Sequence, residues 1–453
     1  MSRILLHNAQ IANEGEVYIG SVLICGNRIE AILKQESTLD SLPPLFSVSD
    51  KVMNCQGLLL IPGVIDDQVH FREPGLTHKG NIESESKAAV AGGVTSYLEM
   101  PNTKPPTTSL DALLEKRERA ACTSWANYGF FVGGTNSNAQ EVFRIDSSLF
   151  PGYKLFLGSS TGNMLVDSPK ALDEFFAESP KVIAIHSESE SIIASNKAKF
   201  IDQYGEDPPL SCHPLIRSDE ACYRCTCEAM ERATKWGTNL HILHLSTARE
   251  ANLLHTSTPF EEKKITAEAC AHHLWFSDDD YATKGSLIKW NPAVKTKEDR
   301  EALKEALRSS AIDIIATDHA PHLLSEKEGG ALRAASGGPL IQYSLLVILE
   351  LVRRGELALT DMVQKMCHHP AQRFGIQKRG FLREGYYADL TLIDPNCPTS
   401  VRRDASILST CGWSPFEGET FTHAIHTTFV NGEVAYSKGQ LTKRPSVEPL
   451  LFA

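Results

Sequence analysis

Two kinds of hydrophobic patterning divide the chain. Near the N-terminus, residues 3–34 alternate apolar and polar positions around a tight turn at Cys25-Gly26-Asn27-Arg28. Near the C-terminus, Asn431-Gly432 stands between two strand-like arms in TFVNGEVAY, a strong local hairpin signal. Between these ends, short apolar runs alternate with helical patterns such as SESKAAVAGG and DREALKEALRSS. That alternation predicts βα units around a parallel sheet.

Eight such runs occur: residues 63–70, 95–100, 127–132, 152–157, 181–186, 239–244, 264–273 and 312–318. Eight strands separated by helix-length segments predict a (β/α)8 barrel, an α/β fold whose active site lies at the C-terminal ends of its strands. His70, Lys154, His186, His244 and Asp318 all fall within or at those ends. Random placement would scatter them over helices and both ends of the barrel.

Composition narrows the class. The 453 residues are 42% hydrophobic and 22% charged, ordinary for a globular protein with one large core and something smaller beside it. A net charge of −11 and the lack of a long basic run argue against a nucleic-acid binder. The start MSRILLHNAQ reads as strand rather than targeting peptide, and no apolar stretch reaches the ~20 residues of a membrane span. Eleven scattered cysteines suit a reduced, cytoplasmic setting. The cluster Cys222, Cys225 and Cys227, with Cys212 and His213 nearby, has the ingredients of a zinc site. A helix with Ala221, Cys222, Cys225, Ala229, Ala233 and Trp236 on one buried stripe explains it better.

The strand-end residues form a coherent ligand set. Three imidazoles (His70, His186, His244) and the Asp318 carboxylate suit zinc or a similar divalent ion. One such histidine alone would more often be a satisfied core residue; four matching positions reverse that reading. Lys154 fits if burial and cationic neighbours leave its amine neutral, because a neutral amine can add carbon dioxide and become a bridging carbamate. The plainer alternative is an ion pair with a carboxylate. His241 projects elsewhere and belongs behind the ligands.

Above the strand ends, Arg72, Asn102 and His322 could together grip a carboxylate, for which guanidinium offers a planar fork. Alone, Arg72 could as well pair with Glu73 or another carboxylate at the rim. Asn291 could bond a ring amide or simply stabilise its loop; His272 and His273 are read as the end of the seventh strand. Ala335-Ser-Gly-Gly-Pro339 either approaches a ligand or turns the chain.

PGVIDDQVHFREPG, AGGVTSYLEMPNTKPPT, KLFLGSSTGNML, IHSESE, LHILHLST, EACAHHLWF, KWNPAVK, IATDHAPH, HPAQRFGI, YYADLTLIDP and SPFEGETF run in the same order as motifs of the amidohydrolase superfamily. Within it the chain resembles dihydroorotases. The resemblance implies a small β-sandwich assembled from both chain termini beside the barrel, with divisions at 1–60, 61–382 and 383–453. It implies reversible cyclisation of N-carbamoyl-L-aspartate to L-dihydroorotate, a step of pyrimidine synthesis. His70, carboxylated Lys154, His186, His244 and Asp318 would hold zinc. Arg72, Asn102 and His322 would hold the carboxylate and Asn291 the ring. Asp318 would act as general base and acid toward a metal-activated water.

Two departures matter. Gln68 stands where the family has the first histidine of His-x-His, so one tight zinc is expected and a second weak or absent. Asn291-Pro-Ala-Val-Lys295 replaces a run more often ending in proline, leucine and arginine, a milder change. Hydantoinase- or allantoinase-like cyclic amidohydrolases are the nearest alternatives, with less need of a carboxylate clamp. A silent scaffold for a partner, such as a transcarbamoylase, rests on Gln68 alone. A homodimer is the expectation from symmetry.

Overall fold

A computed structural model describes residues 2–158, 164–254 and 257–453. Ser159–Asn163, inside the KLFLGSSTGNML motif, therefore lie outside the described residues. The barrel strands are β1 (Val64–Val69), β2 (Val94–Glu99), β3 (Asn127–Phe130, resumed at Val132–Gly133), β4 (Gly152–Phe156), β5 (Val182–His186), β6 (Leu240–Ile242), β7 (Ile265–Cys270) and β8 (Ile314–Ala316). Neighbours pair in parallel from β1 to β3 and from Val132–Gly133 to β8. A parallel bridge between Val69 and His319 closes the ring.

All eight expected runs contain strands, with corrections in extent: β6 and β8 stop at Ile242 and Ala316, short of His244 and Asp318, and the seventh run is also shorter. The seventh run was read as strand to His273, but β7 stops at Cys270 and a short helix, Ala271–Trp275, carries both histidines. The cysteine stripe lies on the helix Asp219–Trp236, capped by the Ser218 hydroxyl, which accepts from the Ala221 N–H. Cys222, Cys225, Ala229 and Ala233 are buried. Trp236, assigned to the same stripe, is instead 43% exposed at the last turn.

Strands from both ends of the chain share one nine-stranded sheet among the described residues. Leu59–Pro62 runs antiparallel to Leu390–Ile393, joining the N-terminal strands to the C-terminal hairpin. Leu6, Ile11, Val22, Leu60, Leu390 and Phe429 form its own apolar core. The barrel interior has another, where Leu98, Met100, Phe131 and Leu243 meet Phe374, Leu450 and Phe452. The last residues of the chain thus pack into the barrel, and Leu450 donates its N–H to Tyr128 O at 2.8 Å. A cavity of about 1000 Å³ lies over the strand ends.

Candidate active site

The expected ligands reach the cavity from within or just beyond the C-terminal ends of their strands, whereas Asn291 comes from a loop well past β7. Lys154 lies within β4 and His186 ends β5. His244 and Asp318 sit two residues beyond β6 and β8, both with positive φ (40° and 48°). Arg72 shares that conformation at φ 70°. Non-glycine residues adopt it only when their surroundings over-determine it, and such strain gathers at functional sites. Just before Arg72, Phe71 N–H donates to Glu99 Oε1 at 2.9 Å, and the buried Glu99 is paired with Lys116 at 2.8 Å.

The cavity is lined by Gln68, His70, Arg72, Asn102, Lys154, His186, His244, Asn291, Asp318 and His322 among others. Every residue singled out as ligand or clamp therefore shares one chamber. The expected metal ligands meet in it as two pairs. His70 Nε2 is 3.1 Å from Asp318 Oδ1, and His186 Nδ1 is 2.9 Å from His244 Nε2. Burial lowers the pKa of all three histidines, so neutral imidazoles are present for a cation. Lys154 is 1% exposed, and burial draws its pKa down to about 7 against the pull of Glu268 and Asp318. This donor set fits a borderline divalent ion.

Partners behind the ligands set their orientation, as outer-shell carboxylates and amides do for metal-binding histidines. His186 Nε2–H donates to Glu188 Oε2 at 2.8 Å, which leaves the Nδ1 lone pair toward the chamber. Glu188 is held at about 2; burial opposes this, but Arg217, 2.5 Å away, and His186 outweigh it. His70 Nδ1–H donates to Asn102 Oδ1 at 2.8 Å. Asn102, read from sequence as a clamp residue, thus also orients His70. Gln68 Nε2–H reaches Asp318 Oδ1 at 3.3 Å, so the amide restrains that carboxylate.

Arg72 does not pair with Glu73, the simpler expectation. Its Nε donates to Pro321 O at 3.2 Å, while Glu73 accepts from Ile82 N–H and faces Arg119 at 3.7 Å. Arg72 is 8% exposed, and burial lowers its pKa to about 10. The ASGGP segment packs against the end of β8: a Cβ on Gly337 (φ 122°) would lie 2.6 Å from Ala320 O and 3.2 Å from His322 Cδ2. Asn291 lines the cavity beside Trp290.

Among the described residues, the groups that bring three potential ligand atoms within 4.8 Å of one another are Cys270, His272 and His273, and Asp67, His241 and Glu268; the expected ligands, which meet as pairs, form no such group. His241 does lie behind the ligands, 3.2 Å from Glu268 and 3.4 Å from Asp67. Burial alone would lower its pKa, but hydrogen bonds to Asp67 and Glu268 hold it above the ordinary value. The sequence reading missed Glu188, Glu99, Lys79, which lines the cavity, and Trp413, whose Nε1–H donates to His322 O. Only Glu188 carried a local signal, lying two residues after His186 in IHSESE.

The fold and this constellation define a metal-dependent barrel hydrolase. The description "Amidohydrolase family" fits residues 59–435, and the chain belongs to that family. Its relatives include dihydroorotases of Halobacterium salinarum (34% identity; 79% of this chain, 82% of that one) and Pyrococcus furiosus (32%; 88% and 87%). An L-hydantoinase of Paenarthrobacter aurescens is 29% identical over 97% of this chain and 96% of its own. Among solved structures, L-hydantoinase from Arthrobacter aurescens superposes with a TM-score of 0.92 at 27% identity, each chain covered completely.

Proposed function

We propose that the protein is a dihydroorotase, interconverting N-carbamoyl-L-aspartate and L-dihydroorotate. The observation that carries this reading is Arg72, Asn102 and His322 in the same chamber as the two ligand pairs. A hydantoin ring has no carboxylate to occupy such a clamp. The family and the dihydroorotase relatives point the same way.

A zinc ion held by His70, His186, His244, Asp318 and a carboxylated Lys154 would supply Lewis acidity toward the ring carbonyl and the attacking water. A Lys154 pKa drawn down to about 7 supports the carboxylation, since a substantial share of the amine is then unprotonated near neutral pH and only the unprotonated amine adds carbon dioxide. Gln68 offers an amide where an imidazole is expected, which supports one tight ion. Arg72 and His322 donate to the substrate carboxylate, with the Asn102 side-chain amide nitrogen beside them, fixing the ring over Asp318. Asn291 meets the ring amide. In the hydrolytic direction Asp318 takes a proton from the attacking water. The C–O bond forms, the ring C–N bond breaks, and Asp318 returns the proton to the leaving nitrogen. Ring closure retraces these steps.

Among the described residues, no helix is long and apolar enough to cross a membrane. A cytoplasmic homodimer working on small molecules is the setting we propose. Replacing Arg72 by Met tests the clamp: KM for L-dihydroorotate should rise by about tenfold or more, the worth of a charged hydrogen bond. Unchanged kinetics, or faster turnover of hydantoin than of dihydroorotate by the native protein, would favour the hydantoinase reading suggested by the fold match.

A further inference from the structure

Lys79 belongs to the loop after Gly75, outside every motif assigned a role above. Its Nζ stands 3.2 Å from His322 Nδ1 and 3.2 Å from Glu326 Oε1. It is 8% exposed and lines the same chamber as Arg72 and His322. Resting on the dihydroorotase reading, we propose that Lys79 is a positioning residue for the carboxylate clamp, fixing His322 as the tautomer that carries its proton on Nε2.

The argument is one of donors and acceptors. An ammonium has three hydrogens and no lone pair, so a ring nitrogen facing it must supply the lone pair. In a neutral imidazole the proton then sits on the other nitrogen. His322 is kept neutral: burial lowers its pKa far below the ordinary value, and Arg72 and Lys79 lower it further. No hydrogen bond to Nε2 is made among the described residues. Its backbone is pinned by Trp413 Nε1–H, which donates to His322 O at 2.7 Å. An Nε2–H is therefore available to a substrate carboxylate.

Glu326 competes for the same ring. Its Oε2 is 3.3 Å from His322 Nδ1 and, unopposed, would draw the proton there. Nε2 would then present a lone pair, which repels a carboxylate. Lys79 prevents this by occupying Nδ1 and by pairing with the other oxygen of Glu326. The cation thus turns an ambiguous imidazole into a donor, and Arg72 and His322 act together on the same anion.

The test is a double-mutant cycle on Lys79→Met and His322→Gln with L-dihydroorotate as substrate. Lys79→Met should raise KM by about tenfold with a much smaller change in kcat, as expected when a charged hydrogen bond is lost from substrate binding. Lys79→Arg should recover most of it, because guanidinium also only donates. In the His322→Gln background, Lys79→Met should add little. Multiplying effects would show that Lys79 acts through its own charge and would overturn the proposal, as would an unchanged KM. ¹⁵N shifts of the His322 ring read the tautomer without substrate. Nε2–H in the native protein and Nδ1–H in Lys79→Met are expected; the same tautomer in both sinks the idea whatever the turnover. If the native protein and Lys79→Met show the two expected tautomers yet the native protein does not turn over dihydroorotate, the functional reading is wrong while the positioning of His322 stands.

Discussion

Gln68 shows how much a single side chain leaves open until its neighbours are known. In the sequence it is a missing imidazole. In the fold its amide nitrogen reaches Asp318 and its amide oxygen lies 3.7 Å from Cys270 Sγ, so it is integrated into the floor of the chamber. Restoring an imidazole there should reopen a second metal position. Gln68→His is expected to raise bound zinc from about one to about two ions per chain, measured by elemental analysis after dialysis, since imidazole is a far better zinc ligand than an amide. A count that stays at one would show that surroundings other than residue 68 limit the site. The proposed clamp residues were legible because Arg72, Asn102 and His322 each follow a strand end. The hydrogen bond from His70 to Asn102 was not, because it joins two different loops.

At the scale of elements, short apolar runs between helix-length segments predicted all eight barrel strands, yet the site depends on where each strand stops. β6 and β8 end two residues before His244 and Asp318, and the positive φ that re-aims each residue leaves no hydrophobic signature. The short helix Ala248–Ala251 after β6 gives a stability prediction. Its cap, Thr247, and Thr226 both donate hydroxyls to Glu250 at 2.8 Å, in a buried setting. Burial raises Glu250 to about 7, against those hydroxyls and Lys295, which lower it. The folded state therefore keeps a proton that the unfolded chain releases between the ordinary carboxylate range and pH 7. Stability is lost as pH rises through that window. Urea unfolding at pH 4.5 and pH 8 should show the native protein losing about 3 kcal/mol relative to Glu250→Gln, at 1.36 kcal/mol per pKa unit. Parallel pH dependences in the two proteins would refute the assignment.

The whole molecule is held by contacts between the chain's ends and its middle. Leu450 and Phe452 are buried with Leu98, Phe131 and Phe374, and a Cβ on Gly129 of β3 would lie 2.7 Å from the Phe452 ring. The base of the barrel is thus filled by the last residues of the chain. Phe452→Ala should cost about 3–5 kcal/mol, the usual range for a buried phenylalanine, and lower the thermal midpoint, while KM for dihydroorotate stays unchanged because the site is at the opposite ends of the strands. A shifted KM with an unshifted midpoint would contradict this division of labour. The C-terminal region also reaches the site side, where Trp413 holds the His322 carbonyl.

By itself the sequence determined the architecture and the chemical inventory. Alternation marks the terminal strands, short apolar runs mark the barrel strands, helix-length spacers impose parallel crossovers, and in such a barrel the strand ends converge. That logic placed His70, Lys154, His186, His244 and Asp318 together without any knowledge of contacts. Tertiary structure alone decided which atoms face the chamber. Glu188 and Arg217 set the tautomer of His186, Lys79 and Glu326 contend for His322, and Gln68 restrains Asp318 from 250 positions away. Proton placement depends on donor–acceptor pairs a few ångströms apart, and pairs so distant along the chain leave no trace in a local pattern.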